Sequence, residues 1–181
     1  MTIESLAEAF DFTEAAIRGV GADQWTDSTP CSDWDVRELV HHTITAISAF
    51  AATASGRGRR VDQDDDGVAD PAGAFRRSAD EALAAWPAAL DESVQLGLEP
   101  VPGRIALAMN LLDTLVHGWD IATATGQPAE LPRQASVDAL AAARTIVTDQ
   151  FRATVGFAPP AAVDDDASPT EQLVAFLGRR G

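Results

Sequence analysis

The 181-residue chain has no lysine, no tyrosine, a single cysteine and only three histidines. All 13 basic residues are therefore arginines; set against 28 acidic residues they leave a net charge of −15. A balance of that sign repels phosphate backbones and anionic lipid headgroups, which argues against nucleic acid or a membrane surface as partner. The lone Cys31 cannot form an internal disulfide, Met1 is followed by no cationic and apolar leader, and no uninterrupted apolar run approaches membrane-spanning length. A serine nucleophile elbow, a phosphate-binding glycine loop and a dinucleotide fingerprint are absent as well. The expectation is a cytoplasmic protein with one domain over residues 1–181, long enough to bury about two-thirds of its unfolded surface without a disulfide or metal staple.

Period-3.6 patterning is present instead, with no sustained alternation of the kind several strands would need. A first helix is expected at 3–18, with Leu6, Phe10, Thr13 and Ile17 on one face and a stop at Gly19 and Gly21. After a loop at 19–34, WDVREL opens a second helix at 36–54: Asp35 is placed to cap it, Glu38 to reach back, and Trp34 and Leu39 occupy the positions of a hydrophobic staple. Residues 56–70, charged and glycine-rich with only Val61 and Val68 as larger apolar side chains, read as a solvated linker loop. Asp70 and Pro71 start a third helix whose apolar face, Phe75, Ala79, Leu83 and Trp86, runs until Pro87 interrupts it. SVQLGLEPVPG is extended or turn-like, a fourth helix covers 104–125, a fifth 134–154, and a tail at 158–181 carries a short helix near 170–178. The fold class is all-α, a four-helix bundle with an additional C-terminal helix.

LLDTLVHGWD, residues 111–120, poses the chemical question, because on a helix Asn110, Asp113, His117 and Asp120 share one stripe. Two readings stand. The stripe is the wet face of an amphipathic helix, or Asp113 and His117, neighbours at i and i+4, point into the bundle and hold a metal. On the second helix His42 lies at the edge of the face formed by Leu39, Thr43, Ile47 and Phe50, whereas His41 points to solvent. His42 is a satisfied boundary residue, or it joins Asp113 and His117 as two imidazoles and a carboxylate, a set that leaves coordination positions open on zinc or iron. Asp120 either faces solvent or receives the second ring N–H of His117. Cys31 reads as a small buried apolar residue or as a thiol near the site. Trp25, Trp34, Trp86 and Trp119 read as core or boundary anchors, and the pairs Arg59–Arg60, Arg76–Arg77 and Arg179–Arg180 as scattered solubilising charge.

TPCSDWDVRELVHHT, LLDTLVHGWDIATATGQP and ASPTEQLVAFLGRR, in this order and spacing, resemble the small bacterial metal-binding proteins of the DinB-like superfamily, on the branch related to the metal-binding domain of mycothiol-dependent maleylpyruvate isomerase. The resemblance covers nearly the whole chain. It implies a four-helix bundle with a divalent metal, zinc or nickel, held by three side chains in a central cleft, and it places those roles on His42, Asp113 and His117. In two respects the chain departs from the isomerase: Asp113 stands where the isomerase-like pattern has Glu, a carboxylate one methylene longer, and the isomerase's second domain is not expected here, so its substrate does not carry over.

The leading expectation is a metal-dependent transferase that uses a low-molecular-weight thiol, by resemblance mycothiol, on a small electrophile. The alternatives are a non-catalytic module for metal or small-ligand binding and a helical interaction protein without metal. The sequence names no convincing general acid or base and leaves a homodimer open.

Overall fold

The computed structural model describes residues 1–57, 69–155, 157–164 and 166–179; most of the linker loop expected at 56–70 lies outside them. Four helices make the bundle: α1 (Ile3–Arg18), α2 (Val36–Ala54), α3 (Pro71–Ala89) and α4 (Gly103–Ala124). α1 packs on α3 and α4, and α2 packs on the same two, so the order around the bundle is α1, α3, α2, α4. SVQ and PVP of the extended segment pair as a small antiparallel hairpin, β1 (Ser93–Gln95) with β2 (Pro100–Pro102), between α3 and α4. After α4 come α5 (Arg133–Ile146), α6 (Asp149–Val155) and α7 (Pro169–Phe176), with α5 lying against α4 and α7.

The starts of the helices follow from their capping residues. The Asp35 carboxylate accepts from the Glu38 N–H at 2.9 Å and Glu38 accepts from the Asp35 N–H at 3.0 Å, a capping box that satisfies two N–H groups of the first turn of α2. Asp70 caps α3 through the Gly73 N–H, and Ser168 and Glu171 form a second box at α7. Three sequence expectations are corrected. α3 runs through Pro87 to Ala89; the missing N–H falls in the last turn, where little helix remains to be disrupted. The expected fifth helix at 134–154 is two helices, because Val147 leaves the helical region at φ −85°, ψ 76° and the Thr148 hydroxyl caps α6 by accepting from the Phe151 N–H at 3.1 Å. Nor is α4 amphipathic. Ile121, Leu115 and Leu111 are buried, and so are Asn110, Thr114, His117 and Asp120, because α1, α2 and α5 cover it from several sides.

α4 meets α1 at unusually close range at Gly118, where an added Cβ would lie 2.3 Å from the Thr13 hydroxyl, itself donating to the Thr114 carbonyl at 3.0 Å. About two turns earlier on α4 the Trp86 indole N–H donates to Asn110 Oδ1 at 3.0 Å. Asn110, in the polar stripe of the sequence, thus satisfies a buried tryptophan and takes no part in the site. No described helix is long and apolar enough to cross a membrane.

Candidate metal centre

The two motifs fold onto facing helices. VRELVHH sits on the first turns of α2, fixed by the Asp35 box, and puts His42 on the side that faces α4, while His41 is exposed. DTLVHGWD lies in the buried middle of α4 and directs Asp113 and His117 toward His42. Asp113 Oδ1 stands 3.8 Å from His42 Nε2 and 3.5 Å from His117 Nε2; the two imidazole rings are 5.0 Å apart, edge to face. Donors bound at about 2.1 Å and at tetrahedral angles around one zinc are roughly 3.4 Å apart, so the spacing of the three groups suits one ion, and two imidazoles with a carboxylate are a suitable donor set. Trp34, just before the Asp35 cap, stacks on the His42 ring at 4.3 Å and covers it from the loop side.

Behind this face lies a second layer. Asp120, wholly buried, accepts from His117 Nδ1 at 3.3 Å, which leaves His117 Nε2 turned to Asp113 and His42. Arg179, from beyond α7, closes on both oxygens of Asp120: Nε donates to Oδ1 and Nη2 to Oδ2, each at 2.7 Å. This corrects the reading of Arg179 as solubilising charge, since it is buried against an acid 59 positions away in sequence. Arg76 is corrected likewise: it ties α3 to Asp11 and Glu14 of α1.

The charges hold one another. Burial alone would raise the Asp113 carboxyl, but the imidazoles of His117 and then His42 outweigh it and hold it well below the usual carboxylate range. Burial opposes a proton on His117, yet Asp113 and then Asp120 raise its pKa to about 9. Asp120 is lowered against its own burial by His117 and Arg179. Cys31, half-buried near Asp120, has its thiol pushed up to about 11, by burial first and by the Asp120 charge second, so at neutral pH it is a protonated thiol and a poor ligand or nucleophile. Its sulfur, His117 and Asp120 do bring ligand atoms within 4.8 Å of one another. That group shares His117 with the first and draws on a carboxylate already committed to Arg179.

A cavity of about 110 Å³ opens beside Asp113 and His117, lined mainly by apolar side chains from α4 and from the segment after α5. Neither this cavity nor Arg179 was legible in the sequence. The only hint of Arg179 was the ASPTEQLVAFLGRR motif, which names no partner for it.

Comparison with known proteins agrees with this architecture. Two curated Mycobacterium tuberculosis proteins, MT0763 of strain CDC 1551 and Rv0738 of strain H37Rv, both named as uncharacterized, are each 35% identical over 175 residues, spanning 94% of this chain and 93% of the relative. No solved structure matches the chain. Residues 6–122, which carry His42, Asp113, His117 and Asp120 but not Arg179, match the family described as the mycothiol maleylpyruvate isomerase N-terminal domain, and the chain belongs to that family.

Proposed function

We infer that the protein is a metal-dependent transferase that joins a low-molecular-weight thiol, mycothiol or one like it, to a small electrophile. The observation that carries the reading is the convergence of His42, Asp113 and His117 from two helices to donor spacings that suit one divalent ion, beside a cavity able to lodge a second reactant. Zinc or nickel, when bound by these residues, would lower the pKa of a thiol bound to it, so that a nucleophilic thiolate would exist at neutral pH. His42 and His117 supply neutral imidazole donors, and Asp113 supplies a negative charge that partly offsets that of the cation. Asp120 holds the proton of His117 on Nδ1 and so keeps Nε2 free, and Arg179 keeps Asp120 in place. Trp34 covers one face of the His42 ring and so fixes its orientation.

A second reading has an observation of its own. Among the described residues lining the cavity, every ionisable group is either a proposed ligand or Arg179, which Asp120 already engages, so no uncommitted acid or base stands there. This favours a module that binds metal and thiol without turnover. One experiment separates the readings: the untagged protein is purified without added metal, its metal content is measured, and it is then incubated with mycothiol and a panel of small electrophiles. Near-stoichiometric zinc or nickel with thiol conjugation above the uncatalysed rate supports the transferase. Metal and thiol binding without conjugation supports the module, and protein that binds no metal overturns both.

A further inference from the structure

The cavity beside the three donors has a chemical preference of its own. Met109, Leu112 and Val116 of α4 form one side, and Phe151, Phe157 and Leu177, from α6 and beyond, form the other. The second side falls outside residues 6–122, the stretch that matches the family, so the cavity is completed by a segment other than the one that supplies the donors.

Its charge is nearly all committed. Arg179 is the one permanently cationic side chain among the described residues lining it, and its guanidinium is held by both oxygens of Asp120 at 2.7 Å. In metal-free protein a carboxylate entering the cavity would meet the negative charge of Asp113, find the His117 ring already held on both nitrogens by Asp113 and Asp120, and exchange water for hydrocarbon, a transfer that is costly for a charged group. An uncharged molecule meets none of these penalties. Size limits the occupant too. An enclosed apolar cavity of roughly 150 Å³ takes one benzene, about 25 Å³ per carbon, so the roughly 110 Å³ of this open-sided cavity houses an inserted group of about four or five non-hydrogen atoms.

We propose that this cavity binds the electrophile, and that the group it accepts is compact, uncharged and apolar, such as a short ketone or enone, with carboxylates of the same shape rejected. The word electrophile rests on the thiol-transfer reading; the preference for an uncharged occupant does not.

The test uses the two methionines of the chain, Met1 and Met109, of which Met109 lines the cavity. Full-length protein labelled with carbon-13 at the methionine methyls is titrated with 2-butanone and with propionate, an isosteric pair, one neutral and one charged. Metal content is measured separately. The discrimination is judged in chelated protein, where no bound cation can draw in a carboxylate. The expected result is a saturable shift of the Met109 methyl with 2-butanone, an unmoved Met1 methyl, and propionate binding at least about tenfold more weakly. Half-buried Ile146 also lines the cavity. Ile146→Phe, which fills it, should abolish the shift with helical circular dichroism intact, and Ile146→Ala, which enlarges it, should retain it. Propionate matching 2-butanone, or no saturable shift with 2-butanone in folded protein, overturns the proposal. If the shift appears in protein that never holds metal, the transfer reading fails and the cavity assignment stands.

Discussion

At the scale of single residues, the centre divides into side chains that face the cleft and side chains that hold them. His42→Ala or Asp113→Ala should reduce metal from near-stoichiometric to trace in protein purified without added metal, whereas His41→Ala, altering an exposed neighbour of His42, should leave it unchanged. Metal retained by both site variants would assign the site elsewhere. Arg179 belongs to the supporting group. Arg179→Ala leaves the Asp120 carboxylate buried without its guanidinium, and losing one partner of such a pair typically costs about 3–5 kcal/mol, read as a fall in the urea midpoint. A loss below about 1 kcal/mol would mean that Asp120 finds another partner or takes up a proton. The convergence of His42, Asp113 and His117 was legible because each sits in a short motif on a helix with a readable face. Arg179 was not, because its role depends on tertiary contact with Asp120 across 59 positions, and an arginine near a chain end looks like any other surface charge.

At the scale of elements, α4 is the helix on which the site depends, and its close approach to α1 sits one residue after His117. Gly118→Ala places a methyl against Thr13, a buried side chain already hydrogen-bonded to α4, so α1 and α4 must separate by part of an ångström. Overpacking of this kind costs about 1–3 kcal/mol, more than the gain in helix propensity returns, and thermal unfolding should report a net destabilisation. A stabilised variant would show that Thr13 can rotate away. Two helix starts were legible from the capping residue itself: Asp35 and Asp70 both do what their sequence context requires. Interior breaks were harder to read. Thr148 resembles any other member of a β-branched run until its hydroxyl is seen to cap α6, and Pro87 looks like a stop although it lies in a last turn that tolerates it. The burial of α4 on nearly all sides could not be read from a polar stripe, because burying Asn110 and Asp120 requires Trp86 and Arg179 from other parts of the chain.

At the scale of the whole molecule, proton and metal compete for the same centre, and the direction of that competition follows from the shifts. His117 is raised from an ordinary 6.5 to about 9, so in metal-free protein the stability its proton contributes is fully present below about pH 6.5 and is lost as pH rises through about 9. Asp113 and Asp120 are shifted the other way; their contribution is present above the ordinary carboxylate range and is lost as pH falls toward their lowered values. Metal-free protein should therefore be most stable between about pH 5 and 6.5. Loading the proposed site requires His117 Nε2 without its proton, so uptake releases a proton and metal affinity rises with pH. A ligand that binds only the folded state stabilises it by about 2.7 kcal/mol at a free concentration one hundred times Kd. Chelator should then lower the melting temperature more at about pH 8.5 than at pH 6, since alkaline conditions combine the tightest metal binding with the least stable metal-free protein. Helical circular dichroism at 25 °C should survive chelation, because the core formed by Leu6, Phe10, Leu39, Phe75, Trp86 and Leu115 contains no donor. Collapse of the helical signal on chelation would make the metal a structural staple, and equal melting shifts at the two pH values would show that uptake displaces no proton from His117.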